Sequence, residues 1–257
     1  MDTMTATHLR YRTFGSGGPK VVLLHGGMQT SANLTRLAAA LAGTFTVYVL
    51  DRRRDHPGHS LRSEVDDLAA MIDETGAGNV FGLSSGAVVA LHGALESPRV
   101  ERLALYEPPL RIAGFDPVAW LPRYEKELAA GRTAAAMITV SKGTGDLRYV
   151  PRAALTPFVR LWMRSDPGVR ALVPTMRHDA AVVDQASGPL SRYAAVTAET
   201  LLLGGERSPA YLKGVLNGLE PVLPRVRRVT LDGVGHVAAD NSGKPERVAA
   251  ELRKFFR

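Results

Sequence analysis

A serine lies between two glycines where a predicted strand meets a predicted helix. The segment Gly82-Leu83-Ser84-Ser85-Gly86 has the pattern Gly-x-Ser-x-Gly, with an apolar run before it and a helical pattern after it. In a nucleophile elbow the serine occupies a strained turn, so the residues two positions before and after it must be small. The segment therefore predicts a nucleophile elbow with Ser84 at its turn. The alternative is a glycine-rich turn whose serine caps a helix.

Two other glycine-rich segments contain histidines. His25-Gly26-Gly27 follows a predicted strand, and glycine there permits a tight turn that points a backbone N–H at a developing oxyanion. We expect His25 to orient that loop, because a base has to reach the serine from its own position. His236 ends the segment Gly233-Val234-Gly235-His236 after the last predicted strand. A parallel sheet would bring this loop to the edge that holds Ser84.

Short apolar runs alternate with helical patterns along most of the chain, which is typical of parallel strands joined by crossover helices. We predict an α/β fold with a mostly parallel central sheet flanked by helices. The predicted strands are His8–Phe14, Val21–His25, Thr44–Asp51, Asn79–Leu83, Val100–Tyr106, Thr200–Leu203 and Val226–Leu231. The predicted helices around them are Asn33–Ala42, Ser63–Glu74 with Ser63 as its cap, Gly86–Leu95 and Pro245–Phe256.

One long interval, from Pro108 to Ala198, has helical patterns and no convincing strand. A helical insertion between parallel strands is typical of a cap over the carboxyl edge of the sheet, where ligands bind. The alternative is that these helices only cover a face of the sheet. We predict a core of residues 1–107 and 199–257 and a helical cap of residues 108–198. The predicted cap helices are Pro117–Ala130, Thr133–Val140, Pro151–Arg164 and Gly168–Arg177.

Large apolar side chains on these helices suit either a pocket wall or an ordinary core. They are Trp120, Met137, Trp162, Met163 and Met176. If the cap interpretation holds, Trp120 and Trp162 line the pocket.

The chain resembles the α/β-hydrolase superfamily over essentially its whole length. His-Gly-Gly, the Gly82–Gly86 elbow and Gly-x-Gly-His occur in that family's order, with a helical insertion after the sixth strand. More narrowly, Asp51-Arg52-Arg53, Phe81–Gly86, Tyr106-Glu107-Pro108-Pro109 and Leu203-Gly204-Gly205 look like a bacterial group of small esterase-like hydrolases. The resemblance implies Ser84 as nucleophile, His236 as base, and the backbone N–H groups of Gly27 and Ser85 as the oxyanion hole. It identifies no substrate.

The third member of the implied triad departs from the family pattern. The family usually has an aspartate three residues beyond a glycine in the loop after the next-to-last strand, and here Ser208 stands at that place. A serine cannot stabilise an imidazolium as a carboxylate does. Glu107, at the end of the preceding strand, is the preferred replacement, although it could instead form a structural ion pair. Glu206, Asp232 or a dyad without an acid are the alternatives.

The expected activity follows from the resemblance. It is hydrolysis of a carboxylic ester, lactone or thioester of a small to medium, partly apolar substrate through an acyl-enzyme. No metal or organic cofactor is needed for that chemistry, and no dinucleotide-binding glycine motif or P-loop occurs. The alternative is a protein of this fold with a binding or non-hydrolytic role, suggested by the missing aspartate.

Composition narrows the class of protein. The 257 residues, 45% of them hydrophobic and 22% charged, fit one large globular domain, and the absence of cysteine excludes disulfides and a thiol nucleophile. The net charge of +7 is spread along the chain, so we expect no nucleic-acid partner. No apolar run is long enough to span a membrane, and the first residues lack the apolar core of a signal peptide. We expect a cytoplasmic protein without a membrane partner; the sequence leaves the oligomeric state open.

Other polar residues have no clear role in the sequence. Asp55-His56-Pro57-Gly58-His59 has a histidine spacing found in metal sites but no third ligand, so we expect a solvated loop and no metal. His92 and His178 are expected at the surface or at helix ends. The sequence assigns nothing to Asp179 or Asp184.

Overall fold

The computed structural model of the chain describes residues 2–4, 9–54, 56–145, 147 and 149–257. His8, which begins a predicted strand, and Asp55 lie outside these residues. The strands are β1 (Asp2–Met4), β2 (Arg10–Phe14), β3 (Lys20–Leu24), β4 (Thr46–Asp51), β5 (Asn79–Leu83), β6 (Arg102–Tyr106), β7 (Glu199–Gly205) and β8 (Val226–Leu231).

Within the described residues these strands form one sheet of eight, in the order β1-β2-β4-β3-β5-β6-β7-β8. β2 pairs antiparallel with β1 and β4, and the pairs from β4 to β8 are all parallel. The carboxyl ends of the parallel strands therefore meet at one edge, which is where such sheets bind ligands. The predicted α/β fold is confirmed. β1 was not predicted.

Helices cover both faces of the sheet. They are α1 (Thr35–Leu41), α2 (Leu61–Thr75), α3 (Ser85–Glu96), α4 (Leu121–Ala129), α5 (Thr133–Gly143), α6 (Arg152–Ser165), α7 (Pro167–Leu172), α8 (Met176–Gln185), α9 (Ala210–Leu219) and α10 (Pro245–Phe255). Buried side chains of α1 and α10 pack in one core cluster, and those of α2, α3, α8 and α9 in the cluster on the opposite face. Each face of the sheet thus has its own apolar layer, as an α/β architecture requires.

Several predicted helix boundaries were wrong; α4, for example, begins at Leu121 and not at Pro117. α2 begins at Leu61 and is capped by Ser60, whose hydroxyl accepts from the Ser63 N–H, so Ser63 completes a capping box and is not the cap. The predicted helix Gly168–Arg177 is divided by a 3₁₀ turn at Val173–Thr175. Its proline, Pro174, has no N–H to continue the α-helical ladder.

α9 was missed, although it buries residues at helical spacing.

Five helices, α4 to α8, lie between β6 and β7, so the predicted insertion after the sixth strand is present. α4, α5 and α6 pack in sequence on one another, whereas α8 packs against α3 and α2 of the core. The last helix of the insertion, α8, therefore packs directly against α3, the helix that follows the elbow. The exact division into a core and a cap at residues 107/108 and 198/199 stays a prediction.

A helix that crosses a bilayer needs about 20 predominantly apolar residues. Among the residues that the structure describes, none of the helices is both long and apolar enough.

Candidate active site

Ser84 lies in a strained turn between β5 and α3. Its φ of 54° and ψ of −122° fall in a region that residues with a side chain rarely adopt. A Cβ on Gly82 would lie 2.5 Å from Ala87 Cα, and a Cβ on Gly86 would lie 2.4 Å from the His25 carbonyl oxygen. Both contacts are with backbone, so strand, helix and the His25 loop meet this closely only because these residues are glycines.

Met28 and Glu107 share the positive φ of Ser84. Among the described residues, the non-glycine residues with positive φ are Met28 (53°), Ser84 (54°) and Glu107 (49°). Each lies in a segment that follows a strand at the carboxyl edge of the sheet. Backbone strain persists only where the surroundings hold it in place, and it clusters at functional sites.

A hydrogen-bonded chain of side chains joins Ser84 to Glu107. His236 Nε2 lies 3.0 Å from Ser84 Oγ, and His236 Nδ1 lies 2.7 Å from Glu107 Oε2. Because an ionised carboxylate can only accept, Nδ1 carries a proton, which it donates to Glu107. In the neutral imidazole Nε2 is then the acceptor for the Ser84 hydroxyl, which is the arrangement a general base needs.

Glu107 is fully buried and held from two neighbouring elements. Its Oε1 accepts from the Gly205 N–H at 2.7 Å, at the end of β7. The absence of a side chain at Gly204 gives the carboxylate room, since a Cβ there would lie 3.1 Å from Oε1. Next to it, the Tyr106 hydroxyl donates to the Gly235 carbonyl at 2.8 Å, which fixes the loop that carries His236.

The other acid candidates lie elsewhere. Glu206 Oε2 accepts from the Gly233 N–H at 2.7 Å, so this side chain anchors the loop before His236. Asp232 contacts Arg247 through its backbone carbonyl. Ser208 is buried, and its hydroxyl has no hydrogen-bond partner among the described residues. In the described part of the chain, Glu107 is the only one of these candidates that contacts His236.

Gly27 and Ser85, predicted as the oxyanion hole, line a cavity together with Ser84 and His236. Ser85 is the first residue of α3, so its N–H has no partner within the helix. The cavity encloses about 40 Å³, which is room for about three water molecules. Its wall is mostly apolar and comes largely from the insertion: Pro109, Pro117, Val118, Trp120, Thr144, Met176, Asp179, Ala180 and Val183, with Tyr211 of α9.

His25 supports the loop before Gly27, as expected. The ring is fully buried; Nε2 lies 3.2 Å from the Arg52 N–H and accepts from it, so Nδ1 donates to the Gly26 carbonyl at 3.0 Å. Burial, followed by the charges of Arg54 and Arg52, lowers the pKa of His25 to about 3. This histidine is therefore neutral at physiological pH, with both ring nitrogens occupied.

A buried ion cluster lies next to the cavity and was missed from the sequence. Arg52 pairs with Glu64 on α2 and with Asp179 on α8, and Arg54 also pairs with Asp179. Burial raises the pKa of Asp179, but the charges of Arg54 and Arg52 outweigh it and hold that pKa below its usual range. The run of arginines directly after a strand at the carboxyl edge was the available signal. Its partner Asp179 is too distant in sequence to be matched by any local pattern.

Two other expectations, for Trp162 and His92, were wrong. Trp120 lines the cavity, but Trp162 is 44% exposed and is not among the cavity residues, so its predicted place in the pocket wall was wrong. His92 is buried in α3 with its Nε2 3.1 Å from the Tyr193 hydroxyl, not at the surface. The rings of His56 and His59 are 5.9 Å apart, and His59 pairs with Glu64. The described residues contain no group of three or more histidine or acidic side chains suited to a metal ion.

Comparison with known proteins defines the class of protein to which this site belongs. A model of the alpha/beta hydrolase family matches residues 21–251. The chain therefore belongs to the alpha/beta hydrolase family.

Individual relatives agree with this assignment. A solved alpha/beta hydrolase from Sphaerobacter thermophilus DSM 20745 is 31% identical, with a TM-score of 0.82 and coverage of 100% of both chains. A pimeloyl-[acyl-carrier protein] methyl ester esterase from Xanthomonas campestris pv. campestris (strain B100) is 25% identical over 93% of this chain and 95% of that protein. An alpha/beta hydrolase from a Medee basin deep-sea metagenome library has a TM-score of 0.77 at 15% identity, over 100% of this chain and 97% of that one. The last likeness concerns the fold alone.

The buried state of His25 predicts a pH dependence of stability. Its pKa is about 3 in the folded protein against 6.5 as the ordinary value, so below pH 6.5 the unfolded chain gains a proton that the folded chain does not. The contribution of His25 to the free energy of unfolding is therefore fully present above that pH. Below it, this contribution falls by up to about 1.4 kcal/mol for each unit by which the pH decreases. Urea titrations between about pH 6.5 and pH 4.5 measure it. His25→Gln, which retains an acceptor for Arg52, should have a weaker dependence; parallel curves for the two proteins would contradict the assignment.

Proposed function

We propose that the protein is a serine hydrolase that cleaves a carboxylic ester, lactone or thioester of a small to medium, partly apolar substrate. The single observation that supports this most is the chain from Ser84 Oγ through His236 to Glu107, with distances of 3.0 Å and 2.7 Å. Membership of the alpha/beta hydrolase family and the esterase names of its relatives point the same way.

The first half-reaction forms an acyl-enzyme. Ser84 Oγ attacks the substrate carbonyl carbon while its proton passes to His236 Nε2, and the Glu107 carboxylate stabilises the resulting imidazolium. The carbonyl oxygen becomes an oxyanion, which the N–H groups of Gly27 and Ser85 stabilise. As the tetrahedral intermediate collapses, the bond to the leaving group breaks and His236 gives its proton to the departing oxygen or sulfur.

Water completes the cycle. His236, again neutral, takes a proton from a water molecule, whose oxygen attacks the acyl carbon. The second tetrahedral intermediate releases the carboxylic acid product, and the proton on His236 returns to Ser84 Oγ. The same three side chains serve both halves, because each half needs one proton accepted and then returned.

The cavity limits what can bind next to Ser84. With about 40 Å³ and a mostly apolar wall, it accommodates a short group, such as an acetyl group or the methoxy group of a methyl ester. The relatives named as methyl ester esterases fit a small alcohol side. A longer part of the substrate would have to extend out of the cavity or displace the insertion.

Removal of the nucleophile is the first test. Ser84→Ala should lower kcat for 4-nitrophenyl acetate roughly 10³-fold or more, because the acyl-enzyme can no longer form. Labelling by a fluorophosphonate should disappear, while the free energy of unfolding should change by less than about 1 kcal/mol. A folded variant with unchanged turnover would refute Ser84 as nucleophile. A wild-type protein without turnover or labelling would favour the binding or non-hydrolytic role.

The acid is tested by a matched pair of variants. Glu107→Gln keeps the shape but removes the charge that stabilises the imidazolium, so kcat should fall roughly 10²–10⁴-fold with little change in KM. Glu206→Gln is the control, because Glu206 anchors the backbone at Gly233 and does not contact His236. Its loss of kcat should be much smaller. Equal losses in steady-state ester hydrolysis would contradict the proposed role of Glu107.

The residues in the wall of the cavity predict a preference for esters with a short acyl group. Trp120→Leu should enlarge the cavity and raise kcat/KM for a butyrate ester relative to acetate by about tenfold, since burying two more CH₂ groups contributes about 0.8 kcal/mol each. Trp162→Leu changes the same residue type on an exposed part of the insertion and should leave the ratio as in the wild type. If both variants show the wild-type ratio, Trp120 does not limit the length of the acyl group that the cavity accepts.

A further inference from the structure

The carboxylate of Asp179, on the last helix of the insertion, is buried next to the candidate oxyanion hole. Its Oδ1 accepts from Ser85 Oγ at 2.7 Å and from Arg52 Nη1 at 2.9 Å, and its Oδ2 accepts from Arg54 Nη1 at 2.8 Å. The side chain is only 1% exposed. A buried carboxylate with three charged or polar donors has a fixed position, because moving it would leave those donors unpaired.

The two arginines hold both sides of the loop that contains Gly27. Arg52 Nη1 donates to the His25 carbonyl at 3.0 Å, and Arg54 Nη2 donates to the Gln29 carbonyl. Inside the loop, the Gly26 N–H donates to Gln29 Oε1 at 2.8 Å. Gly27 is thus the centre of a short segment whose flanking carbonyls are both bound by guanidinium groups.

Asp179 also packs directly on this loop. A Cβ on Gly27 would lie 3.3 Å from Asp179 Cγ and 3.0 Å from Met176 Sδ. The absence of a side chain at Gly27 therefore allows α8 to lie against the loop, which fixes the distance between the insertion and the backbone of Gly27.

Ser85, the second candidate donor, is held by the same carboxylate. Its hydroxyl donates to Asp179 Oδ1, and its oxygen lies 2.9 Å from Arg52 Nη1, whose two hydrogens are shared among Ser85, Asp179 and the His25 carbonyl. Because this hydroxyl belongs to the first residue of α3, which lines the cavity, its bonds hold the N-terminal turn of that helix in place. One carboxylate consequently supports both proposed oxyanion donors.

We propose that Asp179 is a positioning residue that holds the N–H groups of Gly27 and Ser85 in place for the oxyanion, so that the hole is complete only while α8 is seated on the core. This inference rests on the proposed function. The pairs of Arg52 and Arg54 with Glu64 and Asp179 balance in charge, so the cluster orients the donors without adding a net charge beside the oxyanion.

Asp179→Asn tests this, with Asp67→Asn as the matched control. Asp67 pairs with Arg53, the arginine between the two in question, but it lies on α2 and is not among the cavity residues. A displacement of about 1 Å at a reacting group costs on the order of 10²-fold in rate. We expect Asp179→Asn to lower kcat about ten- to hundredfold with KM little changed, and Asp67→Asn to keep the wild-type kcat.

A trifluoromethyl ketone separates positioning from a loss of stability. It adds to the serine as a hemiketal whose oxyanion occupies the hole. Its inhibition constant Ki, measured for the titrated active sites, should therefore rise in Asp179→Asn by the same factor as kcat/KM falls. A merely structural role would lower the melting temperature and the fraction of active sites titrated by a fluorophosphonate, and would leave Ki per titrated site unchanged. That result would overturn the proposal.

Ser85→Ala supplies a second, milder variant that keeps the backbone N–H. It should raise Ki about three- to tenfold, less than Asp179→Asn does, because the bonds of Asp179 to Arg52 and Arg54 remain. Added to Asp179→Asn it should have almost no further effect, since both changes break the same contact; fully multiplicative effects would contradict the proposal. If Asp179→Asn does not fold, an unchanged Ki in Ser85→Ala overturns it. A wild type that neither hydrolyses esters nor binds the ketone overturns the proposed function, and this inference with it.

Discussion

The buried carboxylate of Glu107 is the contact on which the arrangement of the site depends. A charge in a fully buried position costs several kcal/mol unless it is hydrogen-bonded, and this one has two partners from different parts of the chain. Its Oε1 accepts from β7 at Gly205, and its Oε2 accepts from His236. The carboxylate thus connects the end of β6 to the neighbouring strand and to the loop after β8. The positive φ of 49° at Glu107 is the local strain that this position requires.

The second constraint is the junction between the insertion and the core. α8 packs on α3, and its Asp179 pairs with Arg52 and Arg54, which follow β4. Because the arginines also bind carbonyls around Gly27, the elbow, the glycine loop and the insertion form one hydrogen-bonded unit. The core would therefore supply the reacting groups while the insertion both encloses the cavity and supports the groups that stabilise charge. Such support by neighbouring side chains is what catalytic geometry generally needs.

Much of this could be predicted from the sequence, because the relevant signals are local. The alternation of apolar runs and helical patterns was sufficient for the α/β fold, and the glycines around Ser84 indicated the elbow through sterics alone. The sequence favoured Glu107 over Glu206 as the acid, but local signals could not decide between them. Both follow strands that end at the same edge, and the direction of each side chain depends on which backbone N–H it meets: Gly205 for Glu107 and Gly233 for Glu206.

The errors have a common physical origin. Helical periodicity places Trp120 and Trp162 on helices but does not state which face of an insertion helix is covered, and only Trp120 reaches the cavity. Arginines beside a strand end look solvated until their acid is found; here it is Asp179, 127 positions from Arg52.

In the proposed mechanism, Ser84 carries the acyl group during turnover. Rapid acid quenching during hydrolysis of 4-nitrophenyl acetate, followed by peptide mass spectrometry, measures this directly. We expect one acetyl group on the peptide that contains Ser84, formed as fast as the first equivalent of nitrophenol is released, and absent in Ser84→Ala. Turnover of the ester with no acetyl group on that peptide, or with the group on another residue, would contradict it.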